Sequence, residues 1–225
     1  MEFVLCHKLE YCYLEEYIRS VLSDKSLFLY DGETPLIFNG NVFWCIRRIP
    51  FHIIPPGSTI KFVNTEQLSV PQKFAEFKQF IVNGVQVYDY SLENIRISGT
   101  GSHLPYKEIP EETQKLKEFL LQPKEHDFAL IGTPSLYRTT KIKEIVEKGY
   151  TVHHIHGWRD ERDKEVAKCK YILNLHYSPE YTVYESIRCE RWRFAGMPIY
   201  SEASLDLPEG VLGIDLITTR VNSAS

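Results

Sequence analysis

The hydrophobic pattern of the chain alternates between two periods, and this alternation predicts an α/β fold. Short apolar runs are typical of buried strands, whereas apolar residues that recur every three or four positions are typical of helices. In the first half the pattern predicts strands at 3–6, 27–30, 42–46, 59–64 and 85–88, and helices at 13–22 and 70–82. Turns are predicted at Asp31-Gly32, at Asn39-Gly40-Asn41 and at Asn83-Gly84.

The same rhythm restarts after a small, polar run at residues 98–102. Helices are predicted at 111–121, 139–148, 160–168 and 184–194, and strands at 128–131, 151–155, 171–175 and 198–200. Strands that alternate with helices are characteristic of parallel sheets. The sequence therefore predicts two Rossmann-like lobes with parallel sheets facing a cleft, residues 1–100 forming the first lobe and residues 101–225 the second.

Residues just beyond the strands are the first candidates for chemistry, because ligands of open parallel sheets bind at the carboxyl ends of the strands. Gly132, Ser135 and Arg138 follow the strand at 128–131 and lead into a helix. Backbone N–H groups at that helix start, together with the guanidinium of Arg138, suit a diphosphate. The alternative is purely structural, since a glycine turn between a strand and a helix is common in α/β proteins.

The helix at 184–194 is the second candidate, because it carries charged residues next to a buried strand. Glu185 and Arg188 are one turn apart and share a helix face with Cys189 and Trp192. Glu185 can accept hydrogen bonds from both hydroxyls of a ribose, and Arg188 can meet a phosphate with two parallel N–H bonds. A ladder of ion pairs on a solvated helix face is the alternative.

Histidines supply two further possibilities. His7 follows the first predicted strand, where an imidazole could act as a general base or fill a structural role. His153, His154 and His156 suggest a metal site at first sight. Alternate residues of a strand face opposite sides, however, so that only His154 and His156 can share a face. No carboxylate or cysteine at matching spacing completes a set of ligands, and no metal site is expected.

Composition narrows the classes of partner. The 225 residues carry a formal charge of -4, which argues against general nucleic-acid binding because that binding depends on clustered Lys and Arg. The five cysteines are scattered and are expected to be reduced thiols. No apolar run approaches the roughly 18 residues that would span a bilayer. We therefore expect a soluble, cytoplasmic protein without a membrane span.

Short motifs occur in a characteristic order along the chain. They are NTEQL (64–68), VYDYSLENI (87–95), HLPY (103–106), RDERD (159–163), ILNLH (172–176) and YESIRCERWRFAGMPIYSE (184–202). Together with the loop of Gly132, Ser135 and Arg138, this order resembles short glycosyltransferases of the GT-B type, which occur in bacteria and in large DNA viruses. The resemblance covers residues 59–202. It implies a nucleotide-diphosphate sugar bound mainly by the second lobe, an acceptor bound mainly by the first, and neither a metal ion nor another cofactor.

The resemblance also implies roles for individual residues of the second lobe. Gly132, Ser135 and Arg138 match the loop near the diphosphate, and Glu185 and Arg188 match the helix that approaches the ribose and the phosphates. The loop that lies against the donor matches Asn174, His176 and Tyr177. One departure concerns spacing, since Glu185 and Glu190 are five positions apart here and many GT-B enzymes have two glutamates eight positions apart.

The expected function is transfer of a sugar from a nucleotide-diphosphate donor to a hydroxyl of a glycan acceptor, without a metal. The donor could be linked to UDP, for example UDP-rhamnose, and a viral enzyme would work in the host cytoplasm. Inversion at the anomeric carbon would need a base, for which the candidates are His7, Glu66 and Asp89. The alternative is a non-catalytic module that binds sugar nucleotides or glycans. The chain is also expected to be one domain of a larger polypeptide.

Overall fold

The chain consists of two α/β units, Met1–Lys107 and Glu108–Ser225. The computed structural model describes residues 1–33, 42–81 and 84–215. The predicted turn at Asn39-Gly40-Asn41, the end of the predicted helix at Val82 and the turn residue Asn83 lie outside these residues. The division between the units follows the polar run at 98–102. Hydrogen bonds of 2.7 Å from Tyr17 to the carbonyl of Leu104 and from Ser20 to that of Lys107 attach residues 104–107 to the first unit.

The first unit is built on a six-stranded parallel sheet. Its strands have the order β2-β1-β3-β4-β5-β6 across the sheet. In chain order the elements are β1 (Glu2–His7), α1 (Lys8–Leu22), β2 (Ser26–Tyr30), β3 (Val42–Ile46), a 3₁₀ turn (Phe51–Ile53), β4 (Thr59–Asn64), α2 (Pro71–Lys78), β5 (Val85–Asp89), α3 (Leu92–Ser98) and β6 (Ser102–His103).

The second unit has a five-stranded parallel sheet with the order β11-β10-β9-β7-β8. In chain order its elements are α4 (Pro110–Leu120), β7 (His126–Ile131), α5 (Leu136–Val146), β8 (Val152–Ile155), α6 (Arg159–Ala167), β9 (Cys169–Asn174), α7 (Ser186–Phe194), β10 (Ile199–Ser201) and β11 (Leu212–Gly213). The prediction of an α/β protein with two parallel sheets is confirmed.

Helices cover both faces of the second sheet, because its central strands are apolar on both sides. Phe128 and Leu173 pack with Ile145 of α5 on one face. Ala129 and Ile172 pack on the other face with buried residues of the remaining helices, namely Leu116 of α4, Val166 of α6 and Trp192 of α7. A parallel strand that is buried on both faces needs a continuous apolar run, and β7 and β9 have such runs. This arrangement holds the central strands rigidly and fixes the loops at their carboxyl ends.

Two helices, α1 and α5, begin earlier than predicted because polar residues cap them. Helix α1 begins at Lys8, since the ring nitrogen Nδ1 of His7 accepts a hydrogen bond from the backbone of Leu9. Helix α5 begins at Leu136, since Ser135 caps it by accepting from the backbone of Arg138. Within the described residues, no helix has both the length and the apolar character that a membrane crossing requires.

Candidate functional site

The most promising site of the second unit lies where the chain leaves its two central strands. From β7 the chain runs through α5 to β8 on one side of β7, and then through α6 to β9 on the other side. The loops that follow β7 and β9 therefore diverge, and ligands of open parallel sheets bind at such a divergence. Gly132 follows β7, and Leu175 and His176 follow β9.

Two guanidinium groups converge on Gly132. The backbone of Gly132 has φ +131°, and a Cβ added there would lie 2.9 Å from Nη1 of Arg138 and 3.5 Å from Cζ of Arg188. Glycine is needed on both counts, because other residues rarely adopt this φ and would collide with Arg138. We call Gly132, Arg138, Glu185 and Arg188 the arginine site.

Arg138 is held in place by the backbone of the two diverging loops. Its Nε and Nη2 atoms donate to the carbonyl of Leu175 at 3.1 Å and 2.9 Å, and Nη1 donates to the carbonyl of Thr133 at 2.7 Å. The residue is only 2% exposed. Burial lowers the pKa of Arg138, while the nearby carboxylate of Glu202 has the opposite effect. A buried charge is therefore placed beside Gly132 in one fixed orientation.

Glu185 connects the two arginines. It occupies the N-cap position of α7, and its carboxylate pairs with Arg188 and lies 3.7 Å from Nη2 of Arg138. The side chain of Arg188 is 14% exposed, and Cys189 and Trp192 are fully buried. The helix face that these residues share is thus turned inward, which rules out the alternative of an ion-pair ladder on a solvated face.

Glu202 and Tyr137 lie at the same edge of the sheet, although neither residue was predicted to have a role. Glu202 follows β10, and its carboxylate accepts hydrogen bonds from the hydroxyl of Tyr137 at 2.6 Å and from the backbone N–H of His176 at 2.7 Å. Desolvation and this bond to Glu202 raise the pKa of Tyr137. The available sequence signal was the place of Glu202 two residues beyond the predicted strand at 198–200.

Asn174 and His176 bring buried polar atoms to this edge. The amide of Asn174 donates to Ser201 at 2.9 Å, and Nε2 of His176 lies 3.2 Å from the carbonyl of Ala203. The carbonyl oxygen of the Asn174 side chain and Nδ1 of His176 are buried and have no hydrogen-bond partner among the described residues. Such atoms destabilise a fold unless a further group satisfies them.

Tyr177 and Ser135 complete the set of predicted donor-side residues at this edge. The Ser135 hydroxyl donates to the carbonyl of Tyr177 at 2.7 Å, so that the loop after β9 is tied to the start of α5. The Tyr177 ring is 42% exposed and lies 5.7 Å from the ring of Tyr181. The fold thus places every predicted donor-side residue at the carboxyl ends of the strands of one sheet or at the starts of the helices that follow.

The predicted bases belong to the first unit, and each has a structural partner. His7 caps α1, and Glu66 pairs with Arg47 and lies 3.5 Å from Nζ of Lys73. Asp89 is buried and accepts hydrogen bonds from the side chains of Asn64 and Asn94 at 2.7 Å and 3.0 Å and from the backbone of Ser91. These bonds give Asp89 a structural role at the start of α3.

The chain is similar to proteins of Acanthamoeba polyphaga mimivirus. It is 38% identical over 148 residues to uncharacterized protein L140, a match that covers 64% of this chain and 48% of the relative. Uncharacterized protein L137 is 36% identical over 148 residues, which cover 64% of this chain and 20% of the relative. Uncharacterized protein L138 is 32% identical over 224 residues, which cover 90% of this chain and 25% of the relative.

The chain therefore spans less than half the length of these curated relatives. Their viral origin agrees with the viral side of the resemblance noted from the sequence, and their names state no activity. No protein-family model matches the chain, and no solved structure matches it closely. The glycosyltransferase function consequently stays a prediction.

The histidines of β8, and His156 just after it, contact neighbouring groups of the second unit. Nε2 of His154 lies 2.7 Å from the carbonyl of Gly132, and the rings of His154 and His156 are 4.7 Å apart on one face, as the strand period predicts. His153 is on the opposite side, stacked on His126 at 4.7 Å. In residues 1–33, 42–81 and 84–215, no cluster of three or more His, Cys, Asp or Glu could hold a metal ion.

Burial of His176 predicts a pH dependence of stability. Desolvation lowers the pKa of His176. The hydrogen bond to the carbonyl of Ala203 and the charge of Glu202 oppose this effect, and the charges of Arg188 and Arg138 add to it. As the pH falls through about 6.5 the unfolded chain takes up this proton before the folded chain does, so that stability is lost with falling pH. We expect the loss of unfolding free energy between about pH 7.5 and about pH 5.5 to be smaller in His176→Gln, measured by urea unfolding.

His52→Gln is the matched control, since His52 is exposed. That variant should lose as much stability on acidification as the unmodified protein. An equally large loss in the His176 variant would show that this ring is not responsible.

Proposed function

We propose that the chain is a GT-B-type glycosyltransferase domain that binds the diphosphate of a nucleotide sugar at the arginine site. The observation that carries this proposal is the convergence of Arg138 and Arg188 on the single glycine backbone of residue 132. Two guanidinium groups beside a backbone without a side chain suit a pyrophosphate, because its oxygens can approach closely and accept parallel N–H bonds.

Helix α5 supports the same assignment. Its first amide groups lack acceptors within the helix, and the N-terminus of a helix favours negative charge. Ser135, which caps this helix, satisfies the amide of Arg138. The amides of Leu136 and Tyr137, at the first two positions of α5, are left to bind a phosphate. Arginines and amides would then stabilise the charge that develops on the leaving diphosphate, the role that a metal ion has in other transferases.

Glu185 can be replaced by a ligand as the ion-pair partner of the two arginines. Without a ligand, its single carboxylate is the counter-charge that Arg138 and Arg188 share. A bound diphosphate would take over both arginines and keep their buried charges paired. The released carboxylate would accept hydrogen bonds from the ribose hydroxyls, which is the role that the resemblance implies for Glu185. The loop of Asn174, His176 and Tyr177 would contact the remainder of the donor.

The acceptor base would come from the first unit if the reaction inverts the anomeric carbon. Asp89 is the weakest of the three candidates, because it is buried and accepts several structural hydrogen bonds. His7 ends β1, Glu66 follows β4, and both residues are partly accessible. We assign the base to one of these two residues, and single substitutions His7→Ala and Glu66→Gln would distinguish them by loss of transfer with unchanged donor binding.

The experiment that tests the proposal is a binding and turnover series with UDP and UDP-rhamnose. UDP at a hundred times its dissociation constant should stabilise the protein by about 2.7 kcal/mol in a thermal-shift assay. Arg188→Ala should weaken UDP binding roughly tenfold or more, because one charged partner of the diphosphate is lost. Lys143→Ala removes the same charge from the exposed face of α5, where it pairs with Glu147, and should bind UDP normally.

Turnover separates the transferase from a binding module. Release of UDP from UDP-rhamnose, with or without an added acceptor, supports the enzyme, whereas donor binding with neither transfer nor slow hydrolysis supports the non-catalytic alternative. If no nucleoside diphosphate stabilises the protein, or if Arg188→Ala binds UDP as tightly as the unmodified chain, the assignment of the arginine site is wrong.

A further inference from the structure

The first unit has its own divergence point, and a group of charged residues surrounds it. The order β2-β1-β3 means that the chain leaves β1 on one side and returns on the other, so that the carboxyl ends of β1 and β3 flank the divergence. His7 ends β1, and Arg47 and Arg48 follow β3. We call the following residues the charged cluster: Glu10, Arg47, Arg48, Glu66 and Lys73.

The backbone at Arg47 and Arg48 is in an unfavourable conformation. Arg47 has φ 26° and Arg48 has φ 37°, and both values lie on the side of the Ramachandran plot that favours glycine. Two consecutive non-glycine residues with positive φ lower the stability of the fold, and strained backbone of this type is found most often at functional sites. The turn is fixed on one side by a 3.0 Å hydrogen bond from the backbone N–H of Arg47 to the carbonyl of Val63. Its effect is to direct two neighbouring arginines toward Glu10.

Glu10 is a buried carboxylate with unused hydrogen-bonding capacity. The residue is 9% exposed, and its Oε1 lies 3.3 Å from Nε of Arg48 and 3.8 Å from Nη1 of Arg47. Neither of its oxygens accepts a hydrogen bond from any residue that the structure describes. A buried carboxylate is costly unless donors satisfy it. Glu10 is therefore prepared for a ligand that brings hydrogen-bond donors.

The exposure of Arg48 adds a second requirement. Arg47, Arg48 and Lys73 are balanced by Glu10, Glu66 and Glu76, the last of which lies 3.9 Å from Nζ of Lys73. Arg48 presents its charge outward, because its side chain is 57% exposed. Within the described part of the chain, Arg48 forms an ion pair only with Glu10, and it does so through Nε. Its two Nη groups can therefore bind an anion.

We propose that the charged cluster binds an acidic saccharide of the uronate type. Its hydroxyl groups donate to Glu10, and its carboxylate accepts two parallel N–H bonds from Arg48. A simple anion would be repelled by Glu10, and a neutral sugar would bring no carboxylate to the two exposed Nη groups of Arg48. The site uses no residue of the second unit, so binding here does not depend on the arginine site, although Glu66 is also one of the two candidate bases of the proposed transferase.

Three small probes test the two requirements separately. D-glucuronate has hydroxyls and a carboxylate, D-glucose has the hydroxyls alone, and cyclohexanecarboxylate has the carboxylate alone. We expect glucuronate to bind the intact chain at least roughly tenfold more tightly than either of the others. The measurement is a titration followed by the side-chain Nε–H signals of the arginines in NMR spectra.

Substitutions locate the binding and guard against unfolding. Arg48→Ala should lower the affinity for glucuronate to the level of glucose, and Glu10→Gln should lower it to the level of cyclohexanecarboxylate. Arg19→Ala removes the same charge from an exposed position of α1 and should change nothing. Arg48 is exposed, so its variant should keep the thermal midpoint of the unmodified chain. Failure of glucuronate to bind, equal binding of the three probes, or full affinity in Arg48→Ala would each overturn the proposal.

Discussion

Replacing Asp163 by alanine should lower the free energy of unfolding by about 3–5 kcal/mol. Asp163 is buried on α6, and one of its oxygens accepts hydrogen bonds from Nε and Nη2 of Arg162 at 3.0 Å and 2.9 Å. Both of its oxygens also accept from Arg191 of α7, at 2.7 Å and 2.9 Å. Glu112 of α4 pairs with Arg191 from the other side. Removal of this carboxylate takes a shared counter-charge away from two buried guanidinium groups.

The size of this effect follows from burial rather than from the number of ion pairs. A buried charge that loses its partner keeps the desolvation cost, whereas an exposed pair contributes little because water replaces the partner. The group also joins three helices that cover one face of the second sheet, so its loss should loosen α4, α6 and α7 together. Urea unfolding measures the difference in free energy.

Asp160→Ala is the matched control on the same helix. Asp160 pairs with Lys115 at 2.5 Å, but both side chains are about half exposed. We expect this variant to lose no more than about 1 kcal/mol. Similar losses in the two variants would contradict the view that burial determines the contribution of Asp163.

Strands that are buried on both faces could be predicted from the sequence, because nearly every residue at their centre must be apolar. Strands β7 and β9 are examples, since each is apolar on both faces at the centre of its sheet. Helix α3 was missed because its inner face is polar. Asn94 is fully buried there, donates to the carbonyl of Glu66 at 2.8 Å and accepts from the backbone of Leu68 at 2.8 Å. Hydrophobic periodicity cannot detect a helix that is anchored by an amide.

The candidate site could be predicted in part, because the rule that ligands bind at strand ends needs only the strand positions. Arg138 was found in this way and Arg188 from its spacing on the helix, but which residues meet depends on the order of strands in the sheet. Glu202 reaches His176 because β10 lies next to β9. The first turn of α1 was missed because its burial runs against residue polarity. Glu10 is buried and Leu9 is exposed, so the apolar periodicity of a helix is absent there.

Replacing Gly132 by alanine should abolish the binding of nucleoside diphosphates while the second unit stays folded. The added Cβ would lie 2.9 Å from Nη1 of Arg138. Arg138 cannot retreat without breaking its hydrogen bonds to the carbonyls of Thr133 and Leu175. The methyl group would also occupy the space beside Arg188, where we propose that the pyrophosphate lies. We expect at least a roughly hundredfold loss of UDP affinity by calorimetry, equivalent to about 2.8 kcal/mol.

Gly149→Ala separates this steric effect from backbone strain. Gly149 also has a positive φ, of +87°, but no atom lies within 4 Å of the position that a Cβ would take. Both variants should lose some stability, since alanine is strained at either φ. Only Gly132→Ala should lose UDP binding, because only its methyl group meets the two guanidinium groups. If both variants bind UDP normally, the diphosphate does not lie against Gly132, and the two arginines serve the fold rather than a ligand.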